Sequence, residues 1–185
     1  MEEGFSGYTV AQNMTDYYQR IKQQYDNKAE DSTELFQTIL SVAGAIGLKQ
    51  ALAYLEQCVV EKRLAWLDEN LEKFDRTDNV VLDGYRLFYE VYLGVSVPAD
   101  GAIVEQTDSQ LVTRWWNYCP TLEACQKLGL DTREICWKAY HQPVQVFLAK
   151  LDPRLRFKRN YEVLRPHASY CEEIITLEES ETATG

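Results

Sequence analysis

The sequence has no uninterrupted apolar run near the ~18 residues that a membrane-spanning helix needs, so no stretch of it reads as a transmembrane segment. Base is scarce: 19 Lys and Arg stand against 29 Asp and Glu, for a net charge of -10. A surface that grips a phosphate backbone draws its affinity from clustered cations, and no Lys/Arg run supplies them here, which argues against nucleic-acid binding. Also absent are a Gly-rich phosphate loop, a Ser nucleophile elbow, a zinc-protease helix motif and any repeat at a solenoid period. The five cysteines include no C-x-x-C pair. Their odd number and wide spacing argue against a disulfide framework or a close structural zinc pair.

The opening residues, Met1-Glu2-Glu3-Gly4, carry acid where a secretory signal carries base, so a soluble, cytoplasmic protein with reduced thiols is expected. At 185 residues and 45% hydrophobic content the chain can bury one good core. One domain over residues 1–177 is the expectation, followed by a loose acidic tail over 178–185.

Hydrophobic spacing divides the chain. Residues 8–27 suit an amphipathic helix through Tyr17, Tyr18, Ile21 and Tyr25. Asp31 and Glu34 form a capping box ahead of Leu35, Phe36, Ile39, Leu40, Ala43 and Ile46, a run that Gly44 and Gly47 interrupt. A longer helix follows through Leu52, Leu55, Val59, Leu64 and Leu67, ending near Phe74, with Cys58 on its apolar side as a small core residue. Asp78 is placed to cap a third helix with the stripe Val81, Tyr85, Phe88 and Tyr92. That stripe is either core or, through phenols such as Tyr85, one wall of a ligand pocket.

After Gly101 the period shortens. Ala102 to Thr107 and Gln110 to Tyr118 read as a hairpin turning at Asp108-Ser109. Helical turns follow around Leu122 to Leu128, from Asp131 to Tyr140, and from Val144 to Leu151. A second hairpin pairs Leu155 to Leu164 with Tyr170 to Leu177. The expected class is α+β: a helical N-terminal half packed on a four-stranded antiparallel sheet made of two hairpins with a helical insert.

The chemistry-bearing residues crowd this C-terminal part. Cys119 ends a strand where Pro120 starts a helix, and a helix N-terminus favours the thiolate; the alternative is a thiol packed at a sheet edge. Cys125 shares the face of Leu122 and Leu128 and reads as core. Cys136 and His141 lie five positions apart, with His141 able either to cap its helix end or to serve a site. On the alternating sets of the last hairpin, Arg159 and Glu173 are the charged exceptions. They either pair with one another as a structural device, or act as carboxylate anchor and proton carrier respectively. Arg114 is a second candidate anchor.

Trp116-Asn117-Tyr118-Cys119-Pro120, Gly129-Leu130-Asp131, Ile135-Cys136, Leu151-Asp152-Pro153-Arg154-Leu155-Arg156-Phe157 and Tyr170-Cys171 together resemble the L-2-amino-thiazoline-4-carboxylate hydrolase family over residues 100–177. The same strands and cysteines resemble, more distantly, vinyl-reductase-type small-molecule-binding domains. Pro166-His167-Ala168-Ser169 departs from both, where a Gly is expected before the final Cys.

The first resemblance implies a hydrolase acting on a carbon-nitrogen bond of a cyclic or amidine-like acid. Cys119 would be the nucleophile or site thiol, Cys136 and Cys171 supporting thiols, Glu173 the proton carrier, and Arg159, Arg114, Tyr85 and His141 would line the substrate. The second implies a non-catalytic small-molecule or metal-binding module, with Trp115 or Trp116 on a homodimer surface or in an effector pocket. A metal held by Cys119, Cys136 and Cys171 is a less favoured option. The pocket is expected between the helical half and the C-terminal sheet.

Overall fold

The structure, a computed structural model, describes residues 7–27 and 32–178. Three long helices open the chain: α1 (Gly7–Asn27), α2 (Thr33–Ile46) and α3 (Leu48–Asn70), which a 3-10 turn, Leu71–Lys73, extends. Gly47 separates α2 from α3 at φ 83, a left-handed backbone that a side chain resists, and its N–H closes α2 on the Ala43 carbonyl at 2.8 Å. Gly44 stays inside α2 and interrupts nothing. Asp31 lies outside the described residues, and the residue at the N-cap of α2 is Ser32.

Helix α4 (Val80–Tyr85) runs on as a π-helical segment, Arg86–Tyr92. Its cap is Asn79 rather than Asp78: the Asn79 side chain accepts from the Leu82 N–H at 2.9 Å. Strands β1 (Gly101–Gln106) and β2 (Gln110–Trp115) follow, then α5 (Pro120–Leu128). A continuous helical stretch comes next, made of α6 (Thr132–Ile135), a second π-helical segment (Cys136–His141) and α7 (Gln142–Leu151). Pro143 explains the widened coil: it donates no N–H and crowds the carbonyl four residues back, which the looser π spacing accommodates.

Strands β3 (Leu155–Asn160) and β4 (Cys171–Leu177) complete one antiparallel sheet in the order β1-β2-β4-β3. The expected α+β class and both hairpins are as observed, and the hairpins join through β2 and β4. The strands end earlier than their residues suggested, β2 at Trp115 and β3 at Asn160. Glu178 is tied down: its N–H donates to the Arg154 carbonyl at 3.0 Å and its carboxylate meets Arg156 at 2.6 Å. Residues 179–185, the remainder of the expected tail, lie outside the described residues. No described helix is long and apolar enough to cross a membrane.

Two buried clusters form the core. One joins Ile21, Phe36, Ile39, Leu52, Leu55 and Cys125 of the N-terminal helices and the insert. The other joins Tyr85, Phe88, Tyr89 and Phe147 with the inner sheet face, Leu111, Trp115, Phe157 and Ile175. Helix α3 belongs to both, contributing Val59 to the first and Leu67 to the second.

Candidate functional site

Strand register sets the polar centre of the inner sheet face. Arg159 stands opposite Glu173, and Thr113 stands opposite Glu173 on the other side. The Arg159 guanidinium donates to Glu173 Oε1 through Nε and Nη2, both at 2.6 Å, and the Tyr89 hydroxyl donates to Oε2 at 2.6 Å. Thr113 Oγ1 donates to the Glu173 carbonyl and accepts from the Trp115 indole N–H. Both carboxylate oxygens are therefore engaged from inside the protein. Burial pulls the Arg159 pKa down, but the Glu173 charge, Cys136 and Tyr161 outweigh it and hold the guanidinium above its ordinary range. The Tyr89 hydroxyl is driven well above 10.0 by burial and then by Glu173. Of the two readings of Arg159 and Glu173, this geometry is that of the mutual pair.

The thiols lie next to this centre. Cys119 is the N-cap of α5, and its Sγ accepts from the Leu122 N–H at 3.5 Å, the helix-start position its sequence suggested. The expected depression of its pKa is not found. Burial of the sulfur pushes the thiol up, against the Leu122 N–H and Arg165, which pull it down. Burial likewise raises Cys125 to about 11 and Cys136 to about 12. Cys171 opens β4 opposite Trp115 and is close enough to act electrostatically on Cys119 and Cys136. Among the described residues no group of three or more His, Cys, Asp and Glu could hold a metal ion, so Cys119, Cys136 and Cys171 make no such set.

An open cleft lies elsewhere among the described residues, with a volume of about 390 Å³. It lies between α3 and the second π-helical segment, lined by Lys49, Ala53, Glu56, Trp137, Lys138, His141 and Gln142, and by no cysteine. The pocket was expected between the helical half and the C-terminal sheet; where the tyrosine-rich helix meets the sheet the space is filled, since Tyr85, at 1% exposure, stacks on Trp115 at 6.3 Å, and Tyr89 stacks on Trp115 at 4.6 Å. Tyr85 is a core residue.

His141 connects the cleft to the polar centre. It lines the cleft, lies 4.7 Å from the Trp137 ring, and its Nδ1 is 3.0 Å from the Tyr161 hydroxyl. Burial first and Arg159 second lower its pKa below 6.5, with Glu173 opposing, so the imidazole is neutral at neutral pH. The helix continues past His141, so the expected cationic cap of a helix end has no end to cap.

On the wall facing it, Lys49, Ala53 and Glu56 occupy successive turns of one face of α3. Among the described residues neither Lys49 nor Glu56 has an ion-pair partner, and burial raises the Glu56 carboxyl above 4.5. Trp137, 56% exposed, supplies an aromatic surface, while Lys138 is paired with Glu134.

Arg114 points to the outer sheet face, where it meets Glu172 at 3.0 Å and lies over the Tyr170 ring, apart from Arg159 and the cleft. Trp115 is buried at 4%, whereas Trp116 is 45% exposed.

One residue escaped the sequence reading. Arg63 replaces an apolar residue in the stripe Leu55, Val59, Arg63, Leu67 of α3, and is only 8% exposed. Its Nε and Nη1 are buried without a hydrogen-bond partner, and among the described residues no carboxylate pairs with it. The ring of Phe88 at 5.1 Å and that of Tyr92 at 5.8 Å flank it. Cation–π contact recovers about 1–2 kcal/mol, against an effective desolvation penalty of several kcal/mol for a buried ion. A charge in an i, i+4 apolar stripe was the available signal.

Compared with known proteins, the chain matches no family model, no curated protein and no solved structure. The likeness of residues 100–177 to the thiazoline-carboxylate hydrolases rests on those residues alone.

Proposed function

We propose that this protein is a small-molecule-binding domain whose ligand is a planar zwitterion, with an amidine or amine at one end and a carboxylate at the other, bound in the cleft between α3 and the segment Cys136–His141. The observation that carries the reading is the unpaired cation and anion, Lys49 and Glu56, spaced about 10 Å apart along one helix face opposite the exposed ring of Trp137. Glu56 receives the cationic end of the ligand, Lys49 its carboxylate, and Trp137 the flat body. His141, neutral and bonded to Tyr161, offers one ring nitrogen to the ligand. The Arg159–Glu173–Tyr89 group fixes the inner sheet face, and the charges of Arg159 and Glu173 reach His141. Self-association through exposed Trp116 belongs to the same proposal and is checked by sedimentation equilibrium.

The test uses para-amidinobenzoate, with benzamidine and benzoate as half-ligands. The zwitterion should change the fluorescence of the wild-type chain and bind roughly tenfold or more tightly than either half. Trp137→Phe should abolish the signal, and Glu56→Gln and Lys49→Met should each erase the advantage over one half-ligand. Equal weak responses to all three compounds would refute the reading.

A second reading, thiol-assisted hydrolysis of a carbon-nitrogen bond, is favoured by one observation: Cys119 at the start of α5, with the Leu122 N–H bonded to its sulfur and the Arg165 charge acting on it. There Cys119 is the nucleophile, Cys136 and Cys171 support it, and Glu173 carries the proton. The raised thiol pKa values work against it. Cys119→Ala should then abolish ring opening of 2-amino-thiazoline-4-carboxylate at nearly unchanged melting temperature; turnover retained in that variant removes the reading.

A further inference from the structure

Arg63 lies at the seam between the two core clusters, away from the cleft lining and from the Arg159–Glu173 pair. Four helical segments converge on it. Tyr25 comes from α1, Arg63 itself from α3, Phe88 and Tyr92 from the first π-helical segment, and Tyr140 from the second. Both π-helical segments of the described residues thus give an aromatic residue to this one cation, and such widened turns recur at functional positions.

The polar inventory is incomplete in a specific sense. Two guanidinium nitrogens of Arg63 and the Tyr140 hydroxyl are buried without hydrogen-bond partners, with Thr121 near the hydroxyl but not properly bonded to it. Arginine cannot shed its charge by losing a proton in this range. Phenols temper a cation without neutralising it: the Tyr92 oxygen acts on it both by charge and as a hydrogen-bonding neighbour, Tyr25 and Tyr140 by charge alone, and burial acts against it. What is missing among the described residues is one negative charge with planar acceptor geometry, plus an acceptor for the Tyr140 hydroxyl.

We propose that Arg63 and Tyr140 form an internal binding site for a monocarboxylic acid with an apolar body, whose carboxylate docks on the guanidinium and accepts from Tyr140 while its body lies among Phe88, Tyr92 and Tyr25. A monoanion balances the single buried cation, whereas a dianion such as phosphate would leave a net charge in an apolar surround. The Nη1–Nη2 edge of the guanidinium, on which Nη1 has no partner, matches a carboxylate better than a spherical halide. The aromatic surround selects against short hydrophilic acids. This site is independent of the zwitterion cleft, and either can fail without the other.

The probe is sodium benzoate, read by thermal unfolding against sodium chloride and sodium phosphate at matched ionic strength. Benzoate should raise the wild-type midpoint by several degrees beyond chloride and phosphate. Arg63→Met should lose that increment, and without ligand it should melt at or above the wild type, because the substitution removes an uncompensated charge while keeping the length of the side chain. Tyr140→Phe removes one oxygen and should weaken benzoate roughly tenfold; it decides the matter if Arg63→Met does not fold. Lys158→Met, an exposed residue of β3 outside both sites, should keep the full benzoate increment.

A wild-type chain no more responsive to benzoate than to chloride or phosphate overturns the proposal. So does an increment retained in Arg63→Met or Tyr140→Phe, or one lost in Lys158→Met as well.

Discussion

Glu173→Gln isolates the electrostatics of the inner sheet face. The amide keeps nearly the volume of the carboxylate and one acceptor oxygen, so packing changes little; what goes is the charge facing Arg159. Arg159 and Glu173 have side chains only 11% and 8% exposed, so water cannot replace the lost partner. Breaking one side of such a buried pair costs about 3–5 kcal/mol. At about 2–4 °C per kcal/mol for a chain of this size, the midpoint should fall by roughly 6–20 °C. Urea unfolding followed by far-ultraviolet circular dichroism near neutral pH measures it directly.

The triple variant Arg159→Met, Glu173→Leu, Tyr89→Phe removes the pair together with the hydroxyl that would be left without an acceptor. It should recover most of the loss, since well-packed apolar residues replace buried ion pairs at little or no cost. A single-variant loss below about 1 kcal/mol, or a triple variant no better than the single, would refute the reasoning.

Three further outcomes follow from the same structure. His141 titrates below 6.5 in the folded chain, so as pH falls through that value the unfolded chain binds the extra proton and stability drops; Glu172 and Asp152, held below the usual carboxylate range mainly by Asn160 and Arg154 respectively, add a second loss at lower pH. His141→Gln should flatten the first limb of a pH–stability curve, and an unchanged limb contradicts the assignment. Cys125 and Cys136, raised to about 11 and about 12, should react with iodoacetamide near neutral pH far more slowly than in urea, read by mass spectrometry; fast labelling of either would contradict their burial. Gly101→Ala would put a Cβ 2.5 Å from the Arg114 carbonyl oxygen and the Trp115 ring, so it should destabilise by about 1–3 kcal/mol and speed hydrogen exchange in β1; wild-type exchange rates would show the strand can move aside.

Where chemistry repeats with a local period, the sequence was readable. The alternation of Leu155, Phe157 and Arg159 against Cys171, Glu173 and Ile175 was enough to aim one charge inward from each strand, and the register then set them face to face. The hairpins, and Cys119 at the start of α5, were readable for the same reason. Thiol acidity was not. The helix start at Cys119 is local, but the burial that outweighs it comes from elements far away in the chain. The cleft was missed likewise: Lys49, Glu56 and Trp137 belong to surfaces whose meeting depends on how the second π-helical segment packs on α3, and Pro143 signals a distortion without its direction. Arg63 was legible in principle, as a charge in an apolar stripe, yet only its surroundings show that no acid among the described residues answers it.

The most direct test of the ligand-binding claim is a nuclear magnetic resonance titration of the labelled chain with para-amidinobenzoate, following the Trp137 indole N–H, the Ala53 amide and the His141 ring. Those three signals should move together and saturate, while Cys119 and Cys171 stay still. Signals at the cleft that do not move at millimolar ligand, or shifts that gather at the thiols instead, would contradict it.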